Sequence, residues 1–370
     1  MIYLDSAATT FQKPPTVVRA MNEAMATMTS PGRGDYGPSA RASQTLLALR
    51  EEAAALFHVG DPERVVLTTS ATHGLNIAIR TLVHPGSTVL LTGLEHNAVT
   101  RPLAAIPGVR LRTIRTPLFR PDLFLAELDR QLDQGADVMI CTHVSNVFGY
   151  ILPVKEIAAR CREREIPLIV DASQSAGLLP IDLEGWGAEF VAMPGHKGLY
   201  GPQGTGLLLC RTTGEPILEG GTGSESRLQE MPEFLPDRLE AGTHNVPGAA
   251  GLLAGLRFVR RKRPDVLLRH EVHLKDLAAE GLAKEPGVQV FRSRAHQSGV
   301  LSFRMLGKDP GQVGDWLSQR GVALRAGLHC APAAHETAGT LETGTLRLSF
   351  SAFNTPKEVE RFLRIMARLR

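Results

Sequence analysis

Between about residue 60 and residue 210 the chain repeats one pattern: a short apolar run, then a longer stretch with apolar residues at helical spacing. The runs 65–69, 88–92, 109–114, 137–142, 167–171, 190–193 and 206–210 read as strands. The stretches 72–82, 121–132 and 153–163 read as helices, with Pro121 and Pro153 suited to a first turn. Strands alternating with helices predict an α/β fold whose seven-stranded, mostly parallel sheet is covered on both faces. After Gly248 the texture changes. Helical periodicity over 249–260 and 265–282 gives way to strand-like runs at 288–291 and 300–303, which predicts a second, smaller α+β unit. The basic run 260–263 stops at Pro264 and reads as a solvated helix end whose charge complements the helix dipole.

The length of 370 residues allows about two domains at roughly 150 residues each. Hydrophobic residues make up 43% and charged residues 21%, near the globular averages of about 45–50% and about 25%, which argues against disorder and fibrous repeats. A formal net charge of +3 is too small to point to nucleic acid or an anionic membrane as the main partner, and a small-molecule ligand fits better. No two of Cys141, Cys161, Cys210 and Cys330 form a C-x-x-C pair, so neither a bound metal nor a disulfide framework is expected. The opening MIYLDSAATT has no basic segment followed by an apolar run, and nowhere do about 18 apolar residues follow in succession. The expectation is a cytoplasmic protein with no membrane partner.

Three features fall at ends of expected strands, where ligands collect in open α/β sheets. The turn Ser70-Ala71-Thr72-His73-Gly74 leads into a helix, and its free amides with the Thr72 hydroxyl would cradle a phosphate, although Ser and Thr also serve as ordinary caps. Asp171 closes the apolar run Leu168-Ile169-Val170. A carboxylate there needs a cation, and a protonated pyridine nitrogen is one candidate, a structural ion pair or a helix cap another. Lys197 stands in the glycine-rich turn Gly195-His196-Lys197-Gly198, where it is either solvated or enters a pocket with the lowered pKa that Schiff-base chemistry needs. Neither a phosphate-loop nor a dinucleotide fingerprint fits these glycines.

The ordered set YLDSAATT, TSATHGLN, LEHNAVT, THVSN, VDASQSAG, PGHKGLYGPQGTG, EAGTHN and RAGLHCAP runs from residue 3 to about residue 350. It resembles the class V aminotransferase family of pyridoxal-phosphate enzymes, in particular cysteine desulfurases of group II (SufS-like, or selenocysteine lyase-like). The resemblance implies the fold type I architecture: a large cofactor domain over 15–250 and a smaller domain from 1–14 with 251–370. It also implies a homodimer with active sites at the subunit interface. Lys197 is then the Schiff-base lysine, Asp171 the partner of the pyridine nitrogen, Gln174 the neighbour of the ring hydroxyl, His96 the side chain stacked on the ring, and Asn146 a contact of substrate and cofactor. Ala71, Thr72 and His196 hold the phosphate, with Thr243 from the neighbouring subunit. Arg347, and Arg325 as a second candidate, would clamp a substrate carboxylate by their planar fork.

Cys330 separates desulfurases from their relatives. In the family a loop cysteine attacks the sulfur of cofactor-bound cysteine and becomes a persulfide, and RAGLHCAP resembles that loop. A free cysteine is more often a buried, inert thiol, the reading given to Cys141, Cys161 and Cys210. Cys330 follows a histidine, precedes an alanine and a proline, and lies near Arg325, as a reactive thiolate needs. The short segment between Cys330 and Arg347 resembles group II and suggests slow turnover that a sulfur-accepting protein would accelerate. L-cysteine or a related sulfur or selenium amino acid is the implied substrate, giving L-alanine. Against the family pattern, His73 replaces a common Glu, Gly198 is an extra residue after Lys197, and Leu328 replaces a frequent His. Two alternatives stay open: another class V reaction that leaves Cys330 idle (selenocysteine lyase, C–S lyase or aminotransferase), and a non-catalytic sulfur-relay scaffold that keeps the cofactor.

Overall fold

The structure, a computed structural model, describes residues 1–32, 34 and 36–369. Its strands, in chain order, are β1 (Ile2–Tyr3), β2 (Val65–Thr68), β3 (Thr88–Leu91), β4 (Arg110–Thr113), β5 (Val138–Thr142), β6 (Leu168–Asp171), β7 (Phe190–Pro194), β8 (Gly206–Cys210), β9 (Val288–Phe291), β10 (Val300–Met305), β11 (Val322–Ala323), β12 (Arg325–Gly327) and β13 (Thr345–Ser349). All seven expected strands of the α/β region are present, none with an end moved by more than one residue. They form one sheet in the order β2-β8-β7-β6-β5-β3-β4. The β4, β3, β5, β6 and β7 strands run parallel, and β8 pairs antiparallel with β7 and β2.

Both faces of this sheet are apolar, which is why its strands read as continuous hydrophobic runs. Met139, Cys141, Leu168 and Val170 join one core with Leu49, Phe57, Phe124 and Ile157. Val138, Ile140, Ile169 and Phe190 join the other with Leu75, Ala78, Ile79 and Leu103. The strand order reverses between β3 and β5, so the loops after β3, β5, β6 and β7 open at one edge of the sheet, where His96, Asn146, Asp171 and Lys197 stand.

A second, four-stranded antiparallel sheet, β12-β13-β10-β9, packs on the helices Pro264–Leu282 and Pro356–Met366 through Leu274, Leu301, Phe303, Leu346 and Phe362. The N-terminus belongs to this core. Ile2 and Leu4 are buried in it, β1 pairs in parallel with β11, and Asp5 bridges to Ser349.

Some local expectations shift. Pro153 caps the helix Val154–Glu163 instead of entering its first turn, and the helix expected at 249–260 is Val246–Lys262. The helices Pro15–Thr27 and Gly37–Phe57 had no counterpart in the hydrophobic pattern. The first buries only Val17 and Ala24, and the second mixes Ser39, Arg50 and Glu52 with its buried apolar residues, so both patterns are weak.

The helix Val246–Lys262 also fixes the turn that carries Lys197. A Cβ at Gly255 would stand 2.3 Å from the Leu199 carbonyl oxygen and 3.0 Å from the Gly201 nitrogen. Gly255→Ala is therefore expected to destabilise the protein. Overpacking of about 1–3 kcal/mol or more exceeds the helix-propensity gain of about 1 kcal/mol. Urea unfolding checks this, and an unchanged midpoint contradicts the packing argument.

Candidate active site

A cavity of about 210 Å³ opens at the strand ends. Of the residues singled out in the sequence, Ala71, Thr72, His96, Asn146, Asp171, Gln174, His196, Lys197, Arg325 and Arg347 all line it. Pairing of β6 with β7 places Asp171 opposite Ala192, so the carboxylate and the turn after β7 emerge side by side. The Ser173 amide donates to Asp171 Oδ1 at 2.9 Å and fixes the carboxylate. Ser70 caps the helix Ala71–Leu82 by accepting from His73 N, while the Ala71 and Thr72 amides sit in the first turn, where no intrahelical acceptor exists. Gln174 donates to the Ala7 carbonyl at 3.0 Å.

The electrostatics follow from burial. Lys197 is pushed down to about 8, first by desolvation and then by Arg347 and Arg325, with Asp171 and Asp5 opposing. His96 is held down at about 4 by burial, so its imidazole is neutral at pH 7. It caps the helix Asn97–Ala104 by accepting from Ala98 N at Nδ1 (3.0 Å), which leaves the neutral ring's proton on Nε2. Glu95, fully buried beside it, accepts from the Thr92 and Gly93 amides at 2.6 and 2.9 Å and sets the turn. His196, at about 4, is neutral for the same reason of burial.

Arg347 is almost wholly buried and partly engaged. Nη2 donates to Asp5 Oδ1 at 2.6 Å and Nη1 to the Asn146 carbonyl at 2.9 Å, while Nε has no partner. The guanidinium is thus fixed by two hydrogen bonds, with Nε buried and without a protein partner. Arg325, its direct neighbour across the β12–β13 pair, donates from Nη2 to Cys330 Sγ at 3.2 Å. Cys330 is exposed and joins the cavity through Arg325; it is not itself part of the wall. Cys141, Cys161 and Cys210 are buried, and desolvation pushes their thiols up, Cys161 to about 12. Thr243 is exposed and lies outside this cavity, on the wall of another of about 170 Å³ that also holds His73 and Glu240.

The Aminotransferase class-V family model matches residues 2–362. The chain belongs to the class-V aminotransferase family. A relative from Methanothermobacter thermautotrophicus named a probable cysteine desulfurase is 31% identical, covering 97% of this chain and 92% of the relative. One from Serratia proteamaculans named a cysteine desulfurase is 30% identical over 100% of this chain and 93% of its own. Among solved structures, the apo cysteine desulfurase of Thermococcus onnurineus superposes with a TM-score of 0.89 at 30% identity, covering 100% of this chain and 94% of that one. The Escherichia coli cysteine desulfurase CsdA, described as S-sulfonic acid, superposes with a TM-score of 0.86 at 28% identity, covering 99% and 94%.

This class-V cavity fits the family's cofactor, pyridoxal 5'-phosphate. Four buried polar atoms in or beside it lack protein partners: Thr142 Oγ1, Asn146 Oδ1, His196 Nδ1 and Arg347 Nε. With the two first-turn amides, the Asp171 carboxylate and an amine near pH 8, they supply donors for an anion, an acceptor for a pyridine N–H and a nucleophile for an aldehyde. Among the described residues no helix is long and apolar enough to cross a membrane.

Sequence reasoning missed Asp5, the ion-pair partner of Arg347, and Glu271. The signal for Asp5 was a carboxylate directly after an apolar run, the criterion that singled out Asp171. Glu271 is buried in the helix Pro264–Leu282 and faces Tyr200, just past Lys197. Desolvation raises Glu271 from 4.5 to about 8. The folded state therefore holds this proton more tightly than the unfolded chain. Its contribution is full below about pH 4.5 and is lost as pH rises toward about 8. Glu271→Gln is expected to remove a decline on the order of 3 kcal/mol in unfolding free energy between pH 5 and pH 8. Denaturant unfolding at the two pH values checks it, and equal slopes in both proteins refute the assignment.

Proposed function

We propose that this protein is a pyridoxal-phosphate-dependent cysteine desulfurase that converts L-cysteine to L-alanine and carries the sulfur as a persulfide on Cys330. The observation that carries the reading is Arg325, which lines the cavity of Lys197 and Asp171 and also holds the Cys330 sulfur at 3.2 Å. Relatives and structural neighbours named cysteine desulfurases support it.

Ala71, Thr72 and His196 would hold the phosphate, Asp171 the pyridine nitrogen, Gln174 the ring hydroxyl and His96 the ring face. Bound there, pyridoxal 5'-phosphate supplies a sink for the electron pair left on Cα when a bond to that carbon breaks. Lys197, with an amine at about 8, is neutral in part near pH 7 to 8 and takes the α-proton. Arg347 would receive the substrate carboxylate through its guanidinium N–H groups. Asn146, tied to Arg347 by its carbonyl, faces substrate and cofactor. Cys330 attacks the substrate sulfur: the S–S bond forms, the Cβ–S bond breaks with its electrons staying on carbon, and carbon takes a proton with Lys197 or His96 assisting. The products are L-alanine and the Cys330 persulfide, whose outer sulfur passes to a thiol acceptor.

The subtype we propose is group II, because the segment from Cys330 to Arg347 is short and folded, with a helix at Pro332–Ala338. A sulfur-acceptor protein is the implied partner. A homodimer is proposed, in which Thr243, outside this chain's own cavity, would serve the neighbouring one. The large unit is proposed at 15–250 and the small one at 1–14 with 251–370, linked by the helix Val246–Lys262. The cytoplasm is the proposed compartment.

Incubation of holoprotein with L-cysteine, with and without reductant, tests the reading. Wild type is expected to yield alanine and, with reductant, sulfide in equal amounts. Cys330→Ala is expected to lose both by roughly 100-fold or more. Full alanine formation by Cys330→Ala would overturn the persulfide route.

A further inference from the structure

Cys330 is held at two successive carbonyls. The Asn146 carboxamide donates to His329 O at 2.9 Å, and the Asn97 amide donates to Cys330 O at 2.7 Å. His329 and Cys330 both occupy the left-handed region, with φ of 51° and 57°. Residues with side chains rarely do so in succession, and the conformation persists only where the surroundings over-determine it. Asn97 is the first residue of the helix Asn97–Ala104, so its amide has no acceptor within that helix and is free to bind elsewhere. His96 caps the same helix. The turn that brings His96 to the cavity thus also delivers the donor that fixes the Cys330 carbonyl.

We propose that the Asn97 backbone amide, together with the Asn146 carboxamide, is a latch that positions Cys330, keeping its backbone left-handed and its sulfur on Arg325. The proposal rests on reading Cys330 as the nucleophile. Asn97 touches neither substrate nor cofactor in this role; it is a positioning residue that acts through one peptide N–H. A guanidinium donor on the sulfur favours the negative charge a sulfur nucleophile carries in attack. Releasing the carbonyl lets the loop relax and takes the sulfur away from that donor.

Proline is well suited to test this. It is tolerated at the first helical position, lacks the N–H, and here follows His96, whose φ of −75° and ψ of 155° are those a residue before proline favours. Asn97→Pro removes the donor and keeps the helix start; Asn97→Ala keeps the donor and removes only the side chain. The holoproteins are treated with iodoacetamide at pH 7 and alkylation of Cys330 is followed by mass spectrometry, with the buried Cys141, Cys161 and Cys210 reporting the integrity of the fold. Alkylation of Cys330 is expected to fall at least about three-fold in Asn97→Pro, with kcat for L-cysteine lowered and KM unchanged, and to stay within about two-fold of wild type in Asn97→Ala. An unchanged or faster rate in Asn97→Pro, or an equal fall in Asn97→Ala, overturns the latch.

Should Asn97→Pro expose the buried cysteines, hydrogen exchange of the Asn97 amide in wild-type holoprotein decides instead. Protection of at least about ten-fold supports the latch, because no intrahelical acceptor can account for it, and exchange at the free rate refutes it. Full alanine formation by Cys330→Ala would overturn the persulfide route without altering the alkylation and hydrogen-exchange results, so failure of that reading and failure of the latch are told apart.

Discussion

The site depends on one constraint: three cationic side chains, Lys197, Arg325 and Arg347, share a partly desolvated cavity with one carboxylate, Asp171, and a second, Asp5, pairs with Arg347 from beside it. Burial disfavours every charge, but the groups respond differently. A guanidinium stays protonated, so Arg347 keeps its charge and is stabilised by Asp5 and the Asn146 carbonyl. An ammonium can release its proton, and Lys197 is the group that yields. Burial is the main reason the lysine is lowered toward neutrality, and the two neighbouring arginines add to it.

The same constraint explains why two sheets and the N-terminus converge here. Arg325 and Arg347 are directly paired across β12 and β13, an arrangement that like charges oppose. It is tolerated because each faces a different electron-rich partner, Asp5 for Arg347 and the Cys330 sulfur for Arg325. Asp5 reaches Arg347 only because β1 pairs with β11 and Leu4 is buried in the core beneath β13. The large sheet supplies the groups that suit a cofactor, Asp171 and Lys197; the small sheet supplies those that suit an amino-acid substrate. The cavity lies where the two meet.

Much of this was legible in the chain. Strands buried on both faces announce themselves as apolar runs, so β2 to β8 were readable almost to the residue, and Asp171 and Lys197 stood out because polar residues at the ends of such runs need a reason to be there. What was not legible depended on contacts distant in sequence. Asp5 is separated from Arg347 by nearly the whole chain, and nothing local links Asn97 to Cys330. Glu271 lies in an amphipathic helix where a single acid reads as solvent-facing, and only the approach of Tyr200 and Gly299 shows it to be enclosed. The helices Pro15–Thr27 and Gly37–Phe57 escaped notice because small and polar residues make up much of their buried faces.

The cysteines show how strongly environment, not residue type, decides chemistry. Cys141 and Cys210 lie in central strands and Cys161 in a covering helix, and desolvation raises all three thiols far from the range in which a thiolate forms near neutral pH. Cys330 has the opposite surroundings: solvent access, a guanidinium donor and a backbone gripped at its own carbonyl. A strand could not present a nucleophile in this way, since burial of that depth would silence the thiol. Holding the peptide at its carbonyls instead leaves the sulfur exposed while its position stays defined, which is the combination the nucleophile proposed at Cys330 would need.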